Sequence, residues 1–239
     1  MSSEHENNAR QEYVDSLISL VGLRTKQLRE SISNLELCYK TVLASLGDAL
    51  ALKHAETEKH SKRVTAFSNA LARAAGLPQE QIAVIARGAF LHDIGKIGTD
   101  DDILRKPSAL TADETARMRE QCLRGYEIVK KIPFLTEAAE IIYSHHEWYD
   151  GTGYPRGLKG EGIPLGARVV AVANALDSIT SDLPYRQAQS LGAAKAEIEH
   201  GAGSQFDPAL VKTFLSMPDN LWGDLRRQVE TKPAESPGA

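Results

Sequence analysis

The stretch of sequence that decides the fold is AFLHDIGKIG, residues 89–98. An apolar run leads to the adjacent pair His92 and Asp93, and Gly95 is of the residue type that commonly ends a helix. One imidazole nitrogen and one carboxylate at the same point suit a divalent transition metal, and a carboxylate has a second oxygen that can bridge two ions. The pair alone is also typical of a histidine that caps a helix or fills a core. The rest of the chain therefore has to decide between a metal site and a structural histidine.

The bulk composition limits the class of protein. The 239 residues include 42% hydrophobic side chains, enough for a substantial core, and carry a formal net charge of -4. This balance gives no electrostatic argument for nucleic acid or an anionic membrane as a partner. The N-terminus has no apolar segment typical of a signal peptide and no later run is long enough to cross a bilayer, so we expect a cytoplasmic protein. Cys38 and Cys122 are far apart and not in a metal-ligand spacing, which predicts a reducing compartment without disulfides.

Apolar residues on a heptad follow the polar residues 1–10, which we expect to form a disordered tail. The two interleaved series are Val14, Val21, Leu28, Leu35 and Val42, and Ile18, Ile32, Tyr39 and Leu46, with Thr25 as the polar exception. Five heptads exceed what one amphipathic core helix needs, so the favoured interpretation of residues 11–47 is a coiled coil with a second copy of the chain. The alternative is a long helix that lies on its own domain.

The remainder of the chain reads as a series of helices. Thr111 and Glu114 have the spacing of a capping box, which starts one helix, and another helix ends at His145-His146. A strongly apolar helix over about 165–181 should be the buried centre of the domain. No segment alternates polar and apolar residues as a strand would, so the pattern predicts an all-α fold. The polar, Pro-rich residues 217–239 should form a flexible tail.

Five short motifs then occur in order along the chain. They are Glu56-Thr-x-x-His60, His92-Asp-Ile-Gly-Lys-Ile-Gly98, Ile103-Leu-x-Lys-Pro107, His145-His-Glu-x-x-Asp-Gly-x-Gly-Tyr-Pro155 and Gln205-Phe-Asp-Pro208. Over roughly residues 48–216 the chain therefore resembles the HD-GYP branch of the HD-domain metal phosphohydrolases. The resemblance implies an all-α helical bundle that uses two or three iron or manganese ions to hydrolyse cyclic di-GMP, a bacterial second messenger.

The resemblance also implies a role for individual residues. The implied metal ligands are Glu56, His60, His92, Asp93, His145 and His146, with Asp93 bridging two ions and Glu56 holding a third. Lys96 would meet a phosphate oxygen and act together with Asp93 in catalysis. The Gly153-Tyr154-Pro155 segment would face the substrate. Two metal ions can clamp a phosphodiester for in-line attack, and mixed imidazole and carboxylate ligands fit iron or manganese.

Three positions depart from the pattern of the family. Gln121 stands where the family has a histidine, Asn174 where it has an aspartate, and Leu183 where it has an arginine. Amide oxygens can coordinate but bring no charge, and first-row metals prefer imidazole and carboxylate, so we expect reduced metal occupancy. Leu183 removes a bidentate phosphate contact, although Arg186 keeps one positive charge in reach of the substrate.

Three functions remain open on the sequence. The departures favour a degenerate member that binds metal or nucleotide in a signalling role, with weakened or lost phosphodiesterase activity. The alternatives are an active cyclic di-GMP phosphodiesterase that tolerates the substitutions and an HD-type hydrolase of another phosphorylated substrate. The 47 residues before the domain are too few for a sensor or receiver domain, so we expect an input signal through the coiled coil or from a signalling protein partner.

Overall fold

The computed structural model describes residues 2–53, 55–106, 108–182 and 186–231, without the side chains of residues 2–4, 6, 9, 51–53 and 55–58. These residues form eleven α-helices and no strand, which confirms the predicted all-α class. In chain order the helices are α1 (Ser2–Lys53), α2 (Ala55–Ala74), α3 (Gln79–Leu91), α4 (Asp101–Leu104), α5 (Ala112–Arg119), α6 (Gln121–Val129), α7 (Thr136–Ser144), α8 (Leu165–Ile179), α9 (Leu191–His200), α10 (Pro208–Ser216) and α11 (Asp219–Thr231). Within this part of the chain, no helix combines the length and apolar character that crossing a bilayer requires.

Helix α8 forms the centre of the globular unit, because most of its surface is apolar. Val169, Val170 and Val172 are at most 1% exposed. Helices α2, α3, α7, α9 and α10 pack against it. Gly166 allows α7 to come close, since a Cβ atom there would lie 2.4 Å from Cδ1 of Ile141. The predicted buried central helix is confirmed, and it ends at Ile179.

The last part of α1 belongs to the globular unit, which begins at Leu43 instead of residue 48. Leu43 and Leu50 are buried in an apolar cluster with Phe90, and Leu46 packs against the cluster. Gly47 permits this approach, because a Cβ atom there would lie 2.7 Å from Cζ of Phe90. The heptad pattern assigns Leu46 to the coiled-coil seam, but in the structure Leu46 packs against the core of the globular unit. An apolar face that suits a second helix also suits a domain surface, so the periodicity could not separate the two.

The two ends of the chain differ from the sequence prediction. Residues 2–10 continue α1 and are not a disordered tail. Extending an existing helix adds a hydrogen bond for each residue without a new nucleation cost, so even residues of modest helix propensity can prolong it. At the other end, α11 replaces most of the predicted flexible tail. Residues 232–239 lie outside the described part of the chain.

Trp222 is the most deeply buried residue of α11, and Leu221 and Leu225 pack against the same core. Trp222 is 4% exposed. Its ring centroid lies 5.6 Å from that of Phe67 and 5.2 Å from that of Phe214. One tryptophan buries as much apolar area as several small side chains, so it anchors a helix whose other residues are mostly polar. The segment is polar on average, so the sequence pattern predicted a flexible tail and did not reveal the contribution of Trp222.

Candidate metal centre

Three predicted metal ligands converge where α2 meets the turn after α3. The Nε2 atoms of His60 and His92 are 3.3 Å apart. Oδ2 of Asp93 lies 3.4 Å from Nε2 of His92 and 3.9 Å from Nε2 of His60. The ammonium of Lys96 donates a hydrogen bond to the same oxygen of Asp93 at 2.7 Å. The motif at residues 92–96 and His60 of α2 thus aim two imidazoles and one carboxylate at a single point.

The hydrogen bonds of the two histidines leave a lone pair on each Nε2 atom. Nδ1 of His92 lies 2.7 Å from the carbonyl oxygen of Ala89, and Nδ1 of His60 lies 2.7 Å from Oδ2 of Asp177. Each Nδ1 therefore carries the proton and donates it, which makes Nε2 an acceptor in the neutral ring. Two lone pairs and a carboxylate oxygen that face one another repel unless a cation lies between them. The residues present fit a divalent first-row metal, as the motif implies.

Asp177 on α8 holds His60 in place and is missing from the sequence prediction. Its side chain is 0% exposed, and it accepts hydrogen bonds from Nε of Arg63 at 2.6 Å and from Nη2 of Arg63 at 2.9 Å. Nη2 of Arg226 on α11 donates to it at 3.3 Å. Burial alone would raise the pKa of Asp177, but His60 and Arg63 lower it below the ordinary value. A carboxylate behind a ligating histidine fixes the tautomer and makes the imidazole more basic.

A second group of donor atoms adjoins the first. The candidate ligand atoms of Cys122, His145 and His146 lie within 4.8 Å of one another. The ring centroids of His92 and His145 are 5.1 Å apart, so the two groups are neighbours. Nδ1 of His145 lies 2.8 Å from the carbonyl oxygen of Ile142, and its Nε2 is buried with no hydrogen-bond partner among the described residues. The spacing of Cys122 in the sequence does not indicate a metal site, but the fold brings it beside two histidines.

Gln121 occupies the edge of this second group. Its side chain is 3% exposed, and its Nε2 lies 3.3 Å from Nε2 of His146. Its Oε1 has no hydrogen-bond partner among the residues that the structure describes. The backbone here is pressed against the turn after α3, because a Cβ atom on Gly95 would lie 1.9 Å from the carbonyl oxygen of Gln121. A neutral amide therefore contacts a histidine at the position where the resemblance implies another histidine.

Burial sets the protonation states of the site. Desolvation lowers the pKa of His92 to about 4 and the pKa of His145 to about 3. Burial alone would raise the pKa of Asp93, but His92 and Lys96 hold the pKa of that carboxyl well below its ordinary value. Burial, together with the charge of Asp93, raises the pKa of the Cys122 thiol to about 12. At neutral pH and without metal, His92 and His145 are therefore neutral, Asp93 is ionised and Cys122 is a protonated thiol.

The glycine-rich loop after α7 packs onto the second group. Tyr154 stacks on His146, with ring centroids 4.8 Å apart. The guanidinium of Arg119 lies 4.6 Å from the centroid of the Tyr154 ring. Gly153 fits against the preceding turn, where a Cβ atom would lie 2.1 Å from the backbone nitrogen of Trp148. The Gly153-Tyr154-Pro155 segment is thereby fixed against one of the predicted metal ligands.

Glu147 fastens the rest of this loop. Its side chain is 2% exposed, and its two carboxylate oxygens accept hydrogen bonds from the backbone nitrogens of Arg156 at 2.6 Å and Leu158 at 3.0 Å. Pro155 follows Tyr154 and lines a separate shallow cavity with Arg119. Glu147 is part of the motif after His145-His146, and its structural role was not apparent from the sequence.

A cavity of about 350 Å³ opens beside the second group. His145, His146, Asn174 and Arg186 are among the residues that line it. Nη2 of Arg186 donates a hydrogen bond to the carbonyl oxygen of Ser178 at 2.7 Å, which holds the guanidinium at the cavity wall. Asn174, where the resemblance implies an aspartate, thus presents a neutral amide to the same space as the two histidines.

Comparison with known proteins agrees with this geometry. A family model described as HD domain matches residues 44–210, most of the chain. The chain belongs to the HD domain family. The family predicted from the motifs is confirmed. The match to the family begins at residue 44, next to Leu43, where the globular unit of the structure begins.

Relatives of this HD domain include named phosphodiesterases. A cyclic di-GMP phosphodiesterase of Thermotoga maritima is 35% identical over 231 residues, which cover 96% of this chain and 63% of the relative. The cyclic di-GMP phosphodiesterase response regulator RpfG of Xanthomonas campestris is 37% identical over 192 residues, which cover 80% of this chain and 51% of the relative. The chain thus spans about half the length of such relatives. The crystal structure of a cyclic GMP-AMP specific phosphodiesterase of V. cholerae has the same fold, with a TM-score of 0.62 and 21% identity over 82% of this chain and 54% of that one.

The HD domain gathers most of the predicted site residues and adds others. The first group contains His60, His92 and Asp93, and the second contains His145 and His146. The side chain of Glu56 and the whole of Leu183 lie outside the described residues, as do any contacts they make. The residues that sequence reasoning missed are Arg63, Arg119, Cys122, Glu147, Asp177 and Arg226.

Proposed function

We propose that this HD domain binds divalent metal ions and a cyclic dinucleotide, and that its phosphodiesterase activity is weakened by two lost ligands. The observation that carries the proposal is the convergence of Nε2 of His60, Nε2 of His92 and Oδ2 of Asp93, all acceptors and all within 3.9 Å of one another. The relatives named as cyclic di-GMP phosphodiesterases support a cyclic dinucleotide as the ligand.

Two groups of side chains would hold the metal. His60, His92 and Asp93 form the first, and the donors around His145 and His146 form the second. Iron or manganese fits the imidazole and carboxylate donors of the first group. When bound, ions of this kind polarise phosphoryl oxygens and activate water for in-line attack.

Cationic side chains around the metal centre suit an anionic phosphodiester. The side chain of Lys96 is 28% exposed while it donates to Asp93. An ammonium has three donor hydrogens, so Lys96 can hold Asp93 and a phosphate oxygen together. Arg186 lines the adjoining cavity, and Arg119 lies against Tyr154. Positive charge in a cleft raises the local concentration of an anionic ligand and orients it.

Two neutral side chains support weakened activity. Gln121 contacts His146, and Asn174 lines the cavity beside the second group. Neither brings a charge, and an amide oxygen is a poorer ligand for first-row metals than imidazole or carboxylate. A metal held by fewer strong ligands is lost more easily and activates water less well.

The experiment measures metal content and cyclic di-GMP hydrolysis, with manganese or iron(II) present, for the wild type and the double variant Gln121→His/Asn174→Asp. Restoring both ligands should raise metal content per chain, and should raise turnover about a hundredfold or more, because losses of outer-shell partners alone cost about 10–100-fold. The same exchanges at exposed positions, Asn34→Asp and Gln228→His, should change neither quantity. Wild-type turnover equal to that of the double variant would contradict the weakened site. Absence of cyclic dinucleotide binding by both proteins would contradict the ligand class.

We further infer that α1 joins two copies of the chain and carries signals from a protein partner. The heptad residues of α1 are exposed when this helix is considered by itself: Val14 40%, Ile18 65%, Val21 63%, Leu28 62% and Leu35 52%. A continuous exposed apolar stripe of this kind is typical of an interaction surface. Its heptad spacing supports a coiled coil with a second copy.

A further inference from the structure

Cys122 is the one side chain of the second group that the family motifs do not include. It lies on α6 next to Gln121 and is 0% exposed. Its sulfur lies within 4.8 Å of candidate ligand atoms of both His145 and His146. A buried cysteine beside two histidines has the residue types of a soft metal site, but a cysteine in such a place can also be a core residue.

The unsatisfied polar atoms around Cys122 distinguish these two possibilities. Nε2 of His145 is buried without a hydrogen-bond partner among the described residues, and its Nδ1 donates to the carbonyl oxygen of Ile142. His145 is 2% exposed although it lines the cavity, and its Nε2 atom has almost no contact with solvent. Oε1 of Gln121 is buried in the same way and lacks a partner within the described part of the chain. Buried acceptors without partners are costly, and a cation would satisfy them.

We propose that Cys122 is a metal ligand, and that it binds one ion together with His145 and His146 in place of the family histidine that Gln121 has replaced. This inference rests on the proposed function in assuming that the second group holds a metal. Binding breaks the S–H bond of Cys122, forms a metal–sulfur bond and releases one proton to the solvent. The thiolate supplies a negative charge that neither Gln121 nor Asn174 can supply.

A thiolate ligand predicts a change in metal preference at the second group. Thiolate and imidazole together favour zinc, cobalt(II) and iron over manganese and magnesium, which prefer oxygen ligands. The first group keeps its imidazole and carboxylate donors. The two positions of this HD domain should therefore differ in the metal they select.

Cobalt(II) gives a direct spectroscopic test with the full chain. The protein is purified with chelator, dialysed and titrated with cobalt(II), and its absorption is recorded from the near ultraviolet to the visible. A bound thiolate gives an intense charge-transfer band in the near ultraviolet, whereas nitrogen and oxygen ligands give only weak visible bands. The wild type should show the intense band. The Cys122→Ser variant should lose it and keep the weak bands from cobalt in the first group.

The exposed Cys38 on α1 provides the matched control. The Cys38→Ser variant should keep the full intensity of the near-ultraviolet band. A band that survives in Cys122→Ser, or a wild type that binds cobalt without the band, would overturn the proposal. Cys122→Ala serves as a second variant, and far-ultraviolet circular dichroism of each variant confirms that the loss of the band is not a loss of fold.

Metal selectivity gives an independent readout. Competition with a chelator should show that Cys122→Ser binds zinc roughly 10–100-fold or more weakly than the wild type does, because the loss of an outer-shell partner alone costs about this much. The affinity for manganese should fall less. Equal losses for the two metals would contradict a thiolate ligand.

Failure of the proposed function and failure of this inference are distinguishable. The charge-transfer band does not depend on turnover, so a protein that shows the band and cleaves no cyclic dinucleotide supports the ligand and contradicts the activity. A protein that cleaves cyclic di-GMP but shows no charge-transfer band supports the activity and contradicts Cys122 as a ligand. Absence of cobalt binding contradicts both.

Discussion

Oδ2 of Asp177 accepts a hydrogen bond from Nδ1 of His60 at 2.7 Å, although Asp177 is wholly buried and His60 faces the candidate metal centre. The same carboxylate binds Arg63 through two guanidinium nitrogens. One side chain therefore orients a predicted metal ligand and neutralises a buried cation. Metal affinity and fold stability should change together when Asp177 is altered.

The variant Asp177→Asn should lower metal affinity roughly 10–100-fold, because an amide does not polarise the imidazole of His60 as a carboxylate does. It should also lower the free energy of unfolding by about 3–5 kcal/mol, because the guanidinium of Arg63 loses the carboxylate that neutralises it. Chelator competition and chemical denaturation measure the two effects. The control Asp207→Asn removes another buried carboxylate, which binds Arg168 at 2.6 Å, and should reduce stability alone. Unchanged metal affinity in Asp177→Asn would contradict the orienting role.

Acidification should destabilise the metal-free protein. The pKa values of His92 and His145 are lowered by burial to about 4 and about 3, from 6.5. Between pH 6.5 and these values the unfolded chain binds protons that the folded chain does not, so the free energy of unfolding falls as the pH falls. Each histidine should reduce the folding constant about tenfold per pH unit in this range. Urea denaturation with chelator at pH 7, 6 and 5 measures the trend.

The exposed His200 on α9 provides a control for this pH dependence. His200→Gln should leave the slope of stability against pH unchanged, whereas His145→Gln should make it shallower. A stability that stays constant between pH 7 and 5 would show that the two histidines are not held neutral in the folded state.

Gly153→Ala should displace the loop that packs on His146. The new methyl group would lie 2.1 Å from the backbone nitrogen of Trp148, so the backbone itself has to move. We expect a loss of about 1–3 kcal/mol in stability and weaker cyclic di-GMP binding, measured by thermal unfolding and calorimetry. At Gly162 in the same loop an added Cβ meets nothing within 4 Å, so Gly162→Ala should behave like the wild type. Equal binding by both variants would show that the position of the loop does not matter for the ligand.

Charges on the heptad face of α1 should separate the proposed dimer. Replacing Val21, Leu28 and Leu35 with Glu would bury like charges across the seam, and should give monomers with an intact HD domain. Light scattering measures the mass, and circular dichroism the helicity. A control with Glu at exposed positions outside the heptad series, Leu20, Leu23 and Leu37, should remain dimeric. A monomeric wild type at micromolar concentration would contradict the coiled coil.

Trp222→Ala should show how much α11 contributes to the domain. The ring is 4% exposed and packs against Phe67 and Phe214, so its removal should lower the free energy of unfolding by about 3–5 kcal/mol. Denaturant titration measures the loss. Arg227→Ala on the exposed side of the same helix should change stability by no more than about 0.5 kcal/mol. A similar small effect for both variants would mean that α11 packs weakly.

The parts of the fold that were predictable are those with local causes. The capping box of Thr111 and Glu114 is present at the start of α5, as the spacing predicts. The continuous apolar surface of α8 predicts its central position. The motifs around His92 and His145 indicate chemistry because they occur in order with three further motifs. Each single signal lies within one turn, one helix or one loop.

The parts that were not predictable depend on contacts between distant segments. Asp177 and His60 are 117 residues apart in the chain, and no local pattern connects them. Cys122 looks like a core residue until α6 and α7 pack together. Trp222 is one large side chain in a polar segment, where an average over many residues conceals it. The heptad of α1 predicts a helix with an apolar face but does not specify what covers Leu46.

The contact between Gly95 and the backbone of α6 has a consequence for protein engineering. The carbonyl oxygen of Gln121 would clash with any Cβ at position 95, so hydrogen is the only side chain that lets the two segments meet. The spacing between the His-Asp turn and the start of α6 is thus set by main-chain atoms and not by the side chains at 121 and 122. A library that varies those two positions while keeping Gly95 should change metal choice without changing the scaffold, and Gly95 should be the residue that such a library cannot replace.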